Sequence, residues 1–296
     1  MLLASCLLLS SYFRTSTFFA LEENLPILFI LIGFYFFLKL KLSNFDSIPN
    51  LILCLISLGL AIYGRSNYII IYIIVFFVIF KFKDFFCRNN LLASLLTILF
   101  SIPGFLLIYQ WGGIIPPIAQ HRLNDNPIQF YLLPIILNII LIYTIPFFIL
   151  EFRKMKKFIF NKKIIIFIVV FPIYYFVFQK MEVNYYGGGS INKLLFLIFD
   201  EAYIKNLTIV ISYFSLIIIY SLFFQNYFIL SFLILCCILF QNLLFIFQEY
   251  FDPVLIIIFL LFGGFECLKK NNTKYILISY FCFFLVSALF FQSQLA

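Results

Sequence analysis

Charged residues are scarce in this chain: Asp, Glu, Lys and Arg together make up 11% of its 296 residues. A soluble domain usually carries about 25% charged residues, so this deficit argues against a soluble enzyme and against a disordered chain. Glycine and proline are also few, with 11 and 10 residues, which excludes a collagen-like chain. The cysteines form no CxxC pair and lie in or beside apolar stretches, so we expect neither a disulfide scaffold nor a metal site.

Apolar residues fill the rest of the chain. Hydrophobic residues make up 65% of it, with 45 Phe and 19 Tyr, and they form near-continuous runs such as 69–80 and 130–150. An outer-membrane barrel would instead show segments of about 10 residues that alternate between apolar and polar side chains. The sequence therefore predicts an all-α protein, a polytopic helical bundle in a lipid bilayer. No nucleotide motif is present, and we expect no cofactor.

A membrane-spanning helix needs about 20 apolar residues, and shorter spans are tolerated inside a bundle. This criterion predicts eleven spans, at 1–13, 25–42, 51–63, 68–80, 91–109, 129–150, 164–179, 207–224, 227–247, 254–266 and 275–292. Segments 51–63 and 68–80 could also form one kinked helix, but the sequence Gly64-Arg65-Ser66-Asn67 favours a hairpin. Segment 1–13 has neither a basic start nor a cleavage site, unlike a signal peptide. We therefore expect a single transmembrane domain over residues 1–296 that lacks an N-terminal part.

The distribution of charge predicts the orientation of these spans. If the loop after 25–42 is cytoplasmic, most basic residues fall in cytoplasmic loops, as the positive-inside rule requires, and most acidic residues fall in outside loops. The inside basic residues are Lys39, Lys41, Lys81, Lys83, Arg88, Arg153, Lys154, Lys156, Lys157, Lys162, Lys163, Lys269, Lys270 and Lys274. Because the basic residues act as orientation signals, we expect no nucleic-acid partner.

The candidate functional residues lie in the predicted outside loops. They are arginines, carboxylates and the one histidine of the chain: Arg14, Glu22, Glu23, Arg65, His121, Arg122, Asp125, Glu249 and Asp252. A guanidinium matches the oxygens of a phosphate, and a carboxylate can serve as a general base. The alternative for each residue is structural: a charged helix end, an arginine reaching the headgroups, an exposed loop residue or a helix cap. Gly187-Gly188-Gly189 lacks the Gly-Lys-Ser ending of a P-loop.

Two of these segments resemble the GT-C superfamily of integral membrane glycosyltransferases. The stretch from Leu58 to Asn67, which contains Gly64-Arg65-Ser66-Asn67, is similar to the superfamily's helix end followed by Arg and a small polar residue. Arg14, followed by Glu22-Glu23-Asn24 ahead of a span, is similar to its Arg-to-acidic segment. The superfamily's catalytic acid lies in the first long outside loop, and the matching loop is expected to be missing here.

The resemblance implies transfer of a sugar from a polyprenyl-phosphate carrier to an acceptor on the outer face of a bacterial inner membrane. The expected catalytic residues are Glu22, Glu23 and Glu249, one of which would deprotonate the acceptor hydroxyl. Arg65 and Arg122 would stabilise the leaving phosphate. The other expected substrate-binding residues are Arg14, His121, Asp125 and Asp252.

Three alternatives belong to other classes. An O-antigen-type polymerase would also use outside arginines, but it usually has a larger outside loop than 180–206. A flippase or transporter would place ionisable residues within the spans, or show an internal repeat. A non-catalytic subunit or a degenerate gene product agrees with the missing N-terminal part.

Overall fold

The computed structural model describes residues 24–80, 86–112, 132–159, 163–181, 183, 189–240, 251–252, 254–263 and 273–295. Within these residues all regular structure is helical, in eleven α-helices and one 3-10 turn, and there is no strand. The expected all-α helical bundle is confirmed. The chain divides into two compact units, one formed by Ser16–Leu123 and the other by Met1–Thr15 with Asn124–Ala296.

The described part of the first unit contains four α-helices. They are α1 (Asn24–Leu42), α2 (Ile48–Gly64), α3 (Ile69–Ile79) and α4 (Arg88–Trp111), with one 3-10 turn (Ser66–Tyr68) between α2 and α3. Helices α1 and α2 pack as an antiparallel hairpin. Gly33 of α1 allows this approach, because a Cβ atom there would come within 2.6 Å of the Leu58 side chain. Leu58 itself is fully buried.

The turn between α1 and α2 closes the first helix. Asn44 and Phe45 both adopt left-handed backbone conformations, with φ of 52° and 64°. The Phe45 N–H donates to the Leu40 carbonyl over 2.9 Å, which satisfies one of the open carbonyls at the helix end. Lys39 and Lys41 lie in the last turn of α1, where positive charge is favourable next to the helix dipole.

Helices α3 and α4 pack against α2. Tyr72 of α3 hydrogen-bonds the Thr97 hydroxyl of α4 over 3.0 Å, and α3 also packs against α2. Helix α3 therefore folds back along α2, as expected for a hairpin. At the start of α4, the Asn89 side chain donates to the Phe45 carbonyl over 2.7 Å.

Helix α4 extends beyond α2. Gly59 of α2 lies against the ring of Phe100, and the Tyr63 hydroxyl donates to the Phe100 carbonyl. Pro103 lies inside α4 just after this contact, and the helix continues to Trp111. The side chains of this last part are largely exposed, among them Phe105 (66%) and Tyr109 (88%). Gly112 ends the helix with a left-handed conformation at φ 68°.

The described part of the second unit contains seven α-helices. They are α5 (Leu133–Ile159), α6 (Lys163–Phe178), α7 (Gly189–Ile198), α8 (Glu201–Phe223), α9 (Tyr227–Leu239), α10 (Val254–Phe262) and α11 (Thr273–Leu295). Helices α5 and α8 form the central pair. The ring of Phe259 on α10 contacts Phe147 of α5 and Phe223 of α8, with centroids 6.0 and 5.1 Å away. The Tyr280 hydroxyl on α11 donates to the Tyr143 carbonyl of α5 over 2.7 Å.

Four of the described helices are long and apolar enough to cross a membrane. They are Asn24–Leu42, Arg88–Trp111, Leu133–Phe152 within α5, and Glu201–Phe223. Six shorter apolar segments, each of 10 to 17 residues, also lie in the described helices. These four helices identify the chain as a membrane protein.

The helices coincide with the predicted apolar segments, with one difference. The outside loop predicted at 180–206 contains α7 and the first turn of α8. Hydropathy does not detect α7, because its ten residues are too few to cross a bilayer. The expected span 1–13 lies outside the described residues, and so does residue 113 onward in the predicted loop 110–128.

Candidate functional site

Two of the nine predicted site residues belong to the described part of the chain: Arg65 and Asp252. The other seven lie outside it: Arg14, Glu22, Glu23, His121, Arg122, Asp125 and Glu249. Arg65 belongs to the first unit and Asp252 to the second, so the surroundings of each are described separately. The gathering of these residues into one site stays a prediction.

Arg65 lies at the junction between α2 and the 3-10 turn. Its backbone is extended, with φ −153° and ψ 107°, and its N–H caps α2 by donating to the Ala61 carbonyl over 3.0 Å. Its own carbonyl accepts from the Tyr68 N–H over 3.0 Å, which closes the 3-10 turn. The change of direction at this junction therefore depends on the Arg65 backbone.

The Arg65 side chain is half-buried beside an aromatic ring. Its Cζ atom lies 6.0 Å from the centroid of the Tyr68 ring, and Tyr68 is 3% exposed. A guanidinium over an aromatic face is attracted by the ring's quadrupole, so this contact restricts where the side chain points. Because Arg65 lies at the C-terminal end of α2, its guanidinium N–H groups lie near the end of the α2–α3 hairpin.

The start of α1 packs against the Arg65 junction. A Cβ atom on Gly64 would come within 2.1 Å of Pro26 Cγ, so only glycine permits this contact. Asn24, the first residue of α1, directly follows the predicted catalytic residues Glu22 and Glu23 in sequence. The packing of α1 on α2 thus brings Asn24 to the same end of the hairpin as Arg65.

Asp252 is buried rather than solvated. It is 2% exposed and directly precedes Pro253 and α10. The neighbouring Phe251 is also 2% exposed, and its ring packs against Phe240 with centroids 5.0 Å apart. Asp252 is therefore part of the interior of the second unit.

A stripe of buried polar residues in the second unit was not predicted from the sequence. Asn138 of α5 donates to the Thr208 carbonyl of α8 over 3.3 Å and accepts from the Ser215 hydroxyl over 3.4 Å. The Ser212 hydroxyl, one turn after Thr208, pairs with Tyr174 of α6 over 2.8 Å. The signal was present in the sequence, since positions 208, 212 and 215 fall on one helical face.

These neutral groups form hydrogen bonds between helices and offer no acid or base to a reaction. Within the described residues, no group of three or more His, Cys, Asp or Glu side chains could hold a metal ion. Arg65 is thus a cationic group on a helical membrane scaffold. No protein-family model matches the chain, and neither a curated protein nor a solved structure matches it significantly.

Proposed function

We propose that this chain is a multi-pass integral membrane glycosyltransferase of the GT-C type. It moves a sugar from a polyprenyl-phosphate carrier to an acceptor on the extracytoplasmic face of a bacterial inner membrane. The observation that carries the proposal is the placement of Arg65: a half-buried guanidinium at the tip of an apolar helical hairpin, held against the ring of Tyr68. A fixed guanidinium at the edge of apolar helices suits a lipid that carries a phosphate, because the fork binds phosphate oxygens bidentately.

The positions of the other charges favour chemistry at the membrane surface over transport through it. In the four membrane-length helices, the charged residues lie within about five residues of a helix end: Lys39, Lys41, Arg88, Glu151, Glu201 and Lys205. A transporter for a charged substrate usually carries ionisable residues near the bilayer centre. The apolar interior of these helices is suited to a platform for a lipid-linked donor.

The proposed reaction is a direct displacement at the anomeric carbon of the sugar. Glu22, Glu23 or Glu249 accepts the proton of the acceptor hydroxyl, whose oxygen then forms a bond to the anomeric carbon. The bond between that carbon and the phosphate oxygen breaks, and its electron pair stays on the phosphate. Arg65 and Arg122 stabilise the charge that develops there. The products are the glycosylated acceptor and the polyprenyl phosphate.

A transfer assay tests the proposal. Membranes that contain the complete protein are supplied with polyprenyl-phosphate-linked sugars, and labelled product is measured for the native chain and for Arg65→Ala. We expect Arg65→Ala to lower transfer by about tenfold or more, since a hydrogen bond to a charged group contributes about 1.5–3 kcal/mol. Arg88→Ala is the matched control, because Arg88 is exposed at the start of α4, the predicted cytoplasmic end. Equal transfer by all three proteins would refute the role of Arg65.

A further inference from the structure

Helix α7 has the reverse of the usual amphipathic pattern. Gly189, Asn192 and Leu195 form its buried side. Leu194, Leu197 and Ile198 are 47%, 59% and 59% exposed. A surface helix of a soluble protein turns its apolar stripe inward and its polar residues outward. The outward face of α7 is therefore suited to lipid acyl chains, while Asn192 points into the protein.

The residues that follow α7 mark the level of the membrane surface. Only Phe199 and Asp200 separate it from α8, one of the four membrane-length helices. Asp200 and Glu201 are exposed, and Tyr203 is 62% exposed. Charged residues end a membrane span, and exposed tyrosines are typical of the headgroup region. Helix α7 accordingly lies beside the headgroups and not in the middle of the bilayer.

Lys193 lies where the buried and exposed sides of α7 meet. Its side chain is half-buried, and burial lowers the pKa of its ammonium group. A partly desolvated ammonium gains more from a nearby anion than an exposed one does, because little water competes for its charge. In the same unit, the Tyr175 hydroxyl of α6 donates to the Asn206 side chain in the second turn of α8 over 2.8 Å.

We propose that α7 is a binding site for an anionic phospholipid of the surrounding membrane. Lys193 contacts the headgroup phosphate, and the acyl chains lie along Leu194, Leu197 and Ile198. The occupant follows from the arrangement of the helix, since Lys193 places a positive charge on one edge and an exposed apolar face lies beside it. This inference does not depend on sugar transfer.

The test uses the complete protein, purified and stripped of lipid in a neutral detergent. Phosphatidylglycerol or phosphatidylcholine is titrated in, and the shift of the thermal unfolding midpoint gives an apparent affinity. We expect phosphatidylglycerol to stabilise the native protein more than phosphatidylcholine does. Lys193→Gln should bind phosphatidylglycerol about tenfold more weakly, because it loses a charge-assisted contact. Lys193→Arg should retain the preference.

Lys180→Gln is the matched control, because Lys180 is exposed just after α6 in the same unit. Equal stabilisation by the two lipids, or an equal loss in Lys180→Gln and Lys193→Gln, would overturn the proposal. Sodium phosphate provides a further arm: if it stabilises the native protein as strongly as phosphatidylglycerol does, the site binds free phosphate and the lipid assignment is wrong. Lys193→Met, which keeps an apolar stem, serves as the second variant if Lys193→Gln does not purify as a single species.

Discussion

At the scale of single residues, Asn138 shows how neutral polar groups connect helices in the second unit. It is 2% exposed, and both ends of its amide reach α8, at the Thr208 carbonyl and the Ser215 hydroxyl. Water does not reach this position, so it does not compete for the two hydrogen bonds of the Asn138 amide. These two hydrogen bonds therefore fix the position at which α5 packs against α8.

Replacing Asn138 with leucine should destabilise the protein. Both interhelical hydrogen bonds are lost and the Ser215 hydroxyl loses one partner, so we expect a loss of about 0.5–2 kcal/mol, the range measured for such bonds between membrane helices. Thermal or denaturant unfolding in detergent measures the change. Thr144→Val is the control, because the Thr144 hydroxyl donates only to Leu141 of its own helix. Equal stability of Asn138→Leu and the native protein would contradict this role.

Arg65→Lys separates the geometry of Arg65 from its charge. Lysine keeps the positive charge but loses the planar fork that binds two phosphate oxygens at once. If Arg65 binds the donor phosphate, binding of a polyprenyl phosphate to the purified protein should weaken nearly as much in Arg65→Lys as in Arg65→Ala, by about tenfold. Native-like binding by Arg65→Lys would mean that charge alone is sufficient.

At the scale of whole helices, the first unit depends on glycines at its closest contacts. Gly33 meets Leu58, Gly59 meets the Phe100 ring, and Gly64 meets Pro26. Small residues at such contacts let helix backbones approach closely. The van der Waals packing that results is one of the main attractions between helices in lipid. Helix α2 is therefore held on one side by α1 and on another by α4.

Gly64→Ala tests the contact between α1 and α2. The added methyl would lie 2.1 Å from Pro26 Cγ, and the proline ring cannot rotate away, so we expect a loss of about 1–3 kcal/mol. Gly104→Ala is the matched control, because a Cβ placed at Gly104 in α4 would have no neighbour within 4 Å apart from the adjoining residues and backbone of its own helix. That control should be neutral or stabilising by up to about 1 kcal/mol, since alanine favours helices. Unfolding midpoints that fall equally in both variants would contradict the packing.

At the scale of the whole molecule, the charge distribution makes a prediction about topology. The turn between α1 and α2 should face the cytoplasm, and the start of α8 should face the outside. In a background without native cysteines, Asp200→Cys should react with a membrane-impermeant thiol reagent in intact cells, and Asp46→Cys should react only after lysis. Both positions are exposed, so accessibility within the fold does not limit either reaction. The opposite pattern of labelling would show that the orientation is inverted.

The sequence predicted the helices better than it predicted the polar interior. Long apolar runs have one stable arrangement in lipid, so segments such as 25–42 and 91–109 lie within observed helices. The break at Arg65 was also correctly predicted, because Gly and Asn flank a charge that is costly inside a bilayer. Asn138 and α7 were not predicted, since Asn138 carries no charge and the ten residues of α7 are too few to cross a membrane. Their roles depend on contacts between helices distant in sequence.

Pro103 interrupts the backbone hydrogen bonding of α4. Proline has no N–H, so the Leu99 carbonyl loses the donor that it would have in an unbroken helix. The next carbonyl, that of Phe100, accepts from the Tyr63 hydroxyl of α2. The part of α4 before Pro103 is thus hydrogen-bonded to α2 through Tyr63. The part after Pro103 continues the helix across a turn that lacks one backbone hydrogen bond. The orientation of the last two turns of α4, up to Gly112, therefore depends on the backbone geometry at Pro103.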